Sequence, residues 1–243
     1  LVTGWILEYN QHRHAMTDEG DAAEFMKTNT FARPDLHMHS LYSDGTDTPG
    51  SLLRNVRAAG LDIFALTDHD TAEGCAAVRR LLGPGDPAFL EGIEFSCRDD
   101  RGKYHMLGYC FDAEKPSIRE TVDFAHHSRI LKMRNRFVYL QEKFGFTYTE
   151  QERAELMALK NPGKPHFAAM MLKKGYVQTK DEGFEVFSGY RDTEPSLSPE
   201  EAINAILRAG GIPVLAHGIL ADGSGDLTAQ EIGQRVERFK AAG

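Results

Sequence analysis

The chain has 243 residues, 41% of them hydrophobic and 26% charged, with a formal net charge of −8. That length suffices for one sizeable α/β core with room for an insertion. The acidic balance argues against a broad basic surface gripping long nucleic acid, though a local basic pocket for a phosphorylated small molecule or a nucleic-acid end stays open.

No run of about 18 apolar residues occurs, so no membrane span is expected. The opening stretch LVTGWILEYNQHRH has no basic leader or small-residue cleavage site and does not read as a signal peptide. Cys75, Cys97 and Cys110 are few, odd in number and scattered. They fit a reduced, cytoplasmic protein better than a disulfide framework, and none stands in a Cys-x-x-Cys pair.

Residues 1–32 are polar and mixed and read as an N-terminal extension; its His12-x-His14 pair is taken as incidental. DLHMHS, from Asp35, reads as a short buried strand. Thr48–Gly60 follows as a helix, with Thr48 as N-cap, Pro49 in the first turn and Gly60 as the stop. Leu61–Asp70 is a second strand, Thr71–Gly83 a second helix, and Asp86–Ser96 and Lys103–Asp112 two more strands. This alternation predicts βαβ units and a largely parallel sheet. From about Lys115 to Arg191 the pattern is helical throughout and reads as an inserted subdomain. Ser198–Gly211 is a well-capped helix, Ile212–His217 another strand, and the chain ends on one more helix. The expected divisions are 1–32, 33–113, 114–195 for the helical insertion, and 196–243.

Histidine and acid recur where these strands end. His37 and His39, His69, Glu94 and His217 stand at or near predicted carboxyl ends, His105 stands early in its strand, and Asp44 lies in the loop after the first. In parallel α/β architectures such ends converge on one crevice or barrel mouth. In His37-x-His39 both imidazoles face the same side, because a strand has period two. Neutral imidazole with carboxylate suits zinc, iron or manganese, and a carboxylate such as Glu94 can bridge two ions. A lone strand-end histidine is usually structural; the joint pattern predicts a multinuclear metal site.

DLHMHSLYSDG, ALTDHDT, EGIEFS, YHMLGY and VLAHG together resemble the PHP family of metal-dependent phosphoesterases. More narrowly, they resemble its TrpH-like branch of 3′,5′-nucleoside bisphosphate phosphatases and 5′→3′ exoribonucleases on short RNA. The resemblance runs from about Pro34 to the end and includes the helical insertion. It implies a distorted (β/α)7 barrel holding two or three divalent ions, manganese first, with iron or zinc as alternatives. It places metal ligands at His37, His39, Asp44, His69, Glu94, His105 and His217. Two departures stand out: the family's late Gly-x-Asp-x-His-type element does not occur before Gly243, which reads as truncation of the barrel, and the family's Ala-His-Pro is Ala216-His217-Gly218.

Such a site predicts phosphate-ester hydrolysis by a metal-activated water, with Glu94, His69 and Asp68 in the catalytic centre. Asp68 is read either as a carboxylate that orients an imidazole or as a loop residue capping the next helix, a role that Asp70 and Thr71 also fit. Arg129, Lys132, Arg134 and Arg136 lie on one predicted helix, and Lys164 and His166 at the start of another. Arg129, Arg134, Lys164 and His166 are the candidates for gripping a substrate phosphate, a solvated charged face being the alternative for the helix. The expected partner is a small phosphorylated nucleotide or short RNA. The competing readings are a histidinol-phosphate-type phosphatase and a non-catalytic metal-binding module.

Overall fold

A computed structural model describes residues 33–218 and 227–243. The N-terminal extension with His12 and His14 lies outside the described residues. In chain order the described elements are β1 (Pro34–Met38), α1 (Pro49–Ala59), β2 (Ile63–Leu66), α2 (Glu73–Arg79), β3 (Ala88–Asp99), β4 (Gly102–Tyr109), α3 (Pro116–Phe144), α4 (Glu150–Met157), α5 (Lys164–Lys173), α6 (Lys180–Glu185), α7 (Pro199–Arg208), β5 (Ile212–Leu215) and α8 (Ala229–Ala241).

Local chemistry accounts for many of the boundaries. Thr48 accepts a hydrogen bond from the Ser51 N–H, and Gly60 stops α1 at φ 63°, a left-handed conformation that costs glycine little. Ser198 and Glu201 cap α7 reciprocally, as their spacing predicts. The α2 expectation is corrected: its N-cap is Ala72, with no side-chain bond, and Asp70 is used elsewhere.

The strands form one sheet in the order β1-β2-β3-β4-β5. β1, β2 and β3 are parallel, but β4 runs antiparallel to both β3 and β5. The expected largely parallel sheet therefore holds for its first half only. Asp99 pairs with Gly102 across a two-residue turn, and a link that short can only reverse the chain. The result is a mixed α/β fold.

Alternation along each strand decides what faces where. Ile93 and Phe95 on β3, and Tyr104 and Met106 on β4, join α7 and α8 in one apolar core. Met38 packs with α1, α2 and β2 in a second. Their neighbours in sequence, His37, His39, Glu94 and His105, are thereby left for the opposite, concave face. The sheet curls strongly enough for the Tyr109 hydroxyl on β4 to donate to the Leu36 carbonyl on β1 at 2.8 Å.

The helices from α3 to α6 build a third core around Met133, Phe137, Phe167 and Phe187. Each of these fully buried side chains contributes about 1.5–3 kcal/mol of apolar burial. α3 has 29 residues, roughly 43 Å at about 1.5 Å per residue, and serves two cores. Ile118 near its start packs on the sheet core, whereas Met133, Phe137 and Leu140 belong to the helical one. One rigid rod thus carries residues 126–136 over the sheet's carboxyl ends.

Candidate metal centre and adjoining cleft

Five imidazoles converge on one buried carboxylate. Glu94 is 1% exposed. Its Oε2 lies 2.9 Å from His37 Nε2, 3.0 Å from His39 Nε2 and 3.5 Å from His69 Nδ1. Its Oε1 lies 2.9 Å from His105 Nδ1 and 3.3 Å from His217 Nε2. Asp44 closes the outer side, 3.5 Å from His39 Nδ1 and 3.7 Å from His69 Nε2. All seven residues singled out in the sequence as ligands are therefore brought together.

Several backbone devices produce this convergence. The β2–β3 ladder extends past β2 through the paired His69 and Glu94; the Glu94 N–H donates to Asp68 O at 3.1 Å and the Asp70 N–H to Glu94 O at 3.0 Å. His105 needs to be early in its strand because β4 runs antiparallel, so its beginning lies beside the end of β3. β5 rises along β4, and the Ala216 N–H bonds His105 O at 3.0 Å, which delivers His217 to the same mouth. Gly45 folds the Asp44 loop back so tightly that a Cβ there would lie 2.4 Å from His39 O.

The donor set fits divalent cations. Three overlapping triads, His37–His39–Glu94, His39–Asp44–His69 and His69–Glu94–His105, each offer one ligand atom per residue within 4.8 Å of one another. His69 Nδ1 is buried without a hydrogen-bond partner, and His105 Nδ1 and His217 Nε2 are 3.0 Å apart. Such crowding of lone-pair nitrogens around a carboxylate is suited to a cation. Burial by itself would raise the Glu94 carboxyl, but hydrogen bonds from His105, His37 and His39 outweigh it and hold the group far below the usual carboxylate range. Burial pushes His69 down, favouring the neutral form that binds metal.

Asp68 does not touch this cluster. Its carboxylate accepts from the Ser40 N–H at 2.7 Å, the Ser40 hydroxyl at 2.8 Å and the Ser43 hydroxyl at 2.6 Å. Ser43 Oγ in turn lies 3.3 Å from His39 Nδ1. With the Ser43 proton committed to Asp68, that oxygen accepts from Nδ1–H, which leaves the Nε2 lone pair of His39 facing the centre. Asp68 thus acts on an imidazole through Ser43, and it does not cap α2.

A cleft of about 310 Å³ runs from Asp44, His69 and His105 to the helical insert. Five cationic side chains line it: Lys103, Arg129, Lys132, Arg136 and Lys164. Arg129 pairs with Asp70, Arg136 with Asp192 at 3.0 Å, and Lys132 donates to Ser196 Oγ at 3.1 Å. Lys164 and His166 open α5 on the cleft wall. The Gly163 N–H donates to His166 Nδ1 at 3.1 Å, so its proton sits on Nε2. Burial also lowers the His166 pKa. Arg134 is the exception among the four residues expected to grip phosphate: it is exposed and does not line the cleft.

Three lining residues carry roles the sequence reading did not give them. Asn161 donates to His69 O at 2.6 Å while its Oδ1 is buried without a partner. Ser96 bonds Arg129, and Asp70 binds both. Asn161 and Ser96 carry no local signal, since their function arises only where the insert meets the sheet.

The PHP domain family matches residues 35–192. The chain is 27% identical over 222 residues to the 3′,5′-nucleoside bisphosphate phosphatase of Chromobacterium violaceum, covering 87% of this chain and 74% of that protein. It is 27% identical over 227 residues to the 5′-3′ exoribonuclease Rnm of Salmonella typhimurium, covering 89% and 74%. A Bifidobacterium adolescentis crystal structure assigned to the metal-dependent phosphoesterases superposes with a TM-score of 0.74 at 25% identity, covering 88% of this chain and 76% of that one. The chain belongs to the PHP domain family. Its chemistry is that of a metal-dependent phosphoesterase.

Proposed function

We propose that this phosphoesterase hydrolyses the phosphate monoester of a small nucleotide, such as the 3′-phosphate of a nucleoside 3′,5′-bisphosphate, or acts at the 5′ end of a short RNA. The observation that carries this reading is the single cleft joining the Glu94–histidine cluster to a wall of arginine and lysine. Its volume, about 310 Å³, is at the small end of ligand pockets and suits a mononucleotide or a chain end. The substrates named for the Chromobacterium and Salmonella relatives support the same reading.

His37, His39, Asp44, His69, Glu94, His105 and His217 would hold two or three divalent ions, manganese being our choice. Bound there, the ions would neutralise phosphoryl charge and make a water acidic enough to attack at neutral pH. The chain's own side chains do the rest. Arg129, Lys132 and Lys164 receive the anion and orient it towards the strand ends. His166 presents Nε2–H as a fixed donor from the N-terminus of α5. Ser43 and Asp68 keep His39 in the tautomer the centre requires.

In this reading the five-stranded sheet is the larger part of a distorted PHP barrel and residues 114–195 are its substrate-gripping insertion. The free thiols Cys75, Cys97 and Cys110 support a cytoplasmic location. The test is phosphate release from adenosine 3′,5′-bisphosphate with and without manganese, beside histidinol phosphate and a short 5′-phosphorylated RNA. Manganese-dependent release from the nucleotide or RNA is expected, and Glu94→Gln is expected to abolish it together with bound metal. Release from histidinol phosphate alone would overturn the nucleotide reading; undiminished turnover in Glu94→Gln would overturn the site.

A further inference from the structure

Asp70 follows His69 directly, yet it neither caps a helix nor joins the metal cluster. Its backbone adopts φ 55°, a left-handed conformation unusual for a residue with a side chain. Such a conformation persists where the surroundings enforce it, and here they aim a buried carboxylate at the insert. Asp70 Oδ1 accepts from the Ser96 N–H at 2.8 Å. Its Oδ2 receives Arg129 Nη2.

Arg129 comes from α3, a different layer of the fold. The same Nη2 also donates to Ser96 Oγ at 3.2 Å, and Nη1 reaches Pro162 O at 3.5 Å. Arg129 Nε is buried with no protein partner. One edge of the guanidinium is therefore tied down where Arg129 lines the wall of the cleft, with Nε enclosed in protein. The Asp70 N–H is meanwhile bonded to Glu94 O, so the residue that grips Arg129 is built into the strand end that carries Glu94.

We propose that Asp70 is the positioning residue for Arg129: it fixes the guanidinium of the insert at the metal end of the cleft, so that the cation meets a phosphoryl group of the substrate in one set orientation. The proposal rests on the nucleotide-phosphoesterase reading above. A free arginine would have to lose the freedom of a long side chain on each binding event; an arginine already held does not. The carboxylate also offsets the cation's charge beside the histidines.

Steady-state kinetics of the manganese-loaded full chain on adenosine 3′,5′-bisphosphate, with metal content measured by atomic emission, test this. Asp70→Asn should raise KM about tenfold with kcat within about threefold and metal content at the parental level. Arg129→Ala should raise KM comparably, and the double variant should be no worse than Arg129→Ala. A merely structural Asp70 would instead reduce kcat or metal content at constant KM, and multiplying KM effects in the double variant would show that the two residues act separately; either result overturns the proposal.

Arg129→Lys keeps the buried ion pair, and so serves even if Asp70→Asn does not fold. A lysine held on Asp70 offers a rotating point charge in place of a planar fork set in one orientation, so its KM should match that of Arg129→Ala. A parental KM in Arg129→Lys would mean that charge suffices, and would overturn positioning by Asp70. A parental KM in Arg129→Ala would overturn the substrate contact itself, a result distinct from failure of the Asp70 coupling alone.

Discussion

The Asp68 carboxylate never reaches the cleft, although it adjoins His69, whose Nδ1 is buried without a hydrogen-bond partner. What it does is hold Ser40 and Ser43, and through Ser43 it sets the protonation of His39. Partners behind a ligating imidazole are worth about 10–100-fold in metal affinity or activity. Ser43→Ala is therefore expected to weaken manganese binding about tenfold or more while the fold persists, as read by titration calorimetry; parental affinity would show that Ser43 does not set the tautomer. At this scale the sequence announced that His37 and His39 share a face, since His-x-His on a strand can only face one way. It did not announce the residues behind them. Asp68 and Asp70 flank His69 symmetrically in sequence, yet one is tied to the Asp44 loop and the other to the helical insert.

Along α3, angle around the helix axis separates the cations that line the cleft from the one that does not. Successive helical residues are about 100° apart, so Arg129, Lys132 and Arg136 fall on one side and Arg134 on another. Arg129, Lys132 and Arg136 line the cleft, and Arg134 is exposed. Burial lowers the Lys132 pKa, with Asp192 opposing that trend, so its charge sits where solvent screens it little. Lys132→Ala should raise KM for adenosine 3′,5′-bisphosphate about tenfold, the scale of one charge-assisted hydrogen bond. Arg134→Ala should leave KM within about twofold. The opposite ranking would mean that substrate lies on the outer face of α3. The spacing of the cations was available in the sequence, but which side of the helix met the cleft was not. That depended on Met133 and Phe137 turning into the helical core.

At the scale of the whole molecule, seven candidate ligands from five strands and their adjoining loops share one centre. A cation held there would link β1, β2, β3, β4 and β5, none of which is covalently close to all the others. An ion that binds only the folded chain stabilises it by about 2.7 kcal/mol at a hundredfold excess over Kd. For a chain of this length that corresponds to a rise in Tm of about 5–10 °C. Manganese is expected to produce such a rise in thermal denaturation, a chelator to reverse it, and Glu94→Gln to remove it. A Tm indifferent to manganese would indicate that the centre does not hold metal in the folded chain.

By itself the sequence determined the strand–helix alternation, the caps of α1 and α7, the helical character of residues 115–191 and which histidines and acids stand at the strand ends. Each of these is written in local spacing: period two on strands, period 3.6 on helices, capping residues at helix ends. Only the tertiary structure decided that β4 reverses direction. The start of β4 had to reach the mouth, and the two-residue turn after β3 makes that geometry available. Only it decided that α3 lies across the strand ends, which turned Asp70 from an expected cap into the partner of Arg129. Those outcomes depend on groups 59 residues apart in Asp70 and Arg129, or 92 in His69 and Asn161, meeting in space. No local pattern encodes such a meeting, because the energy that selects it is the burial of whole faces against one another.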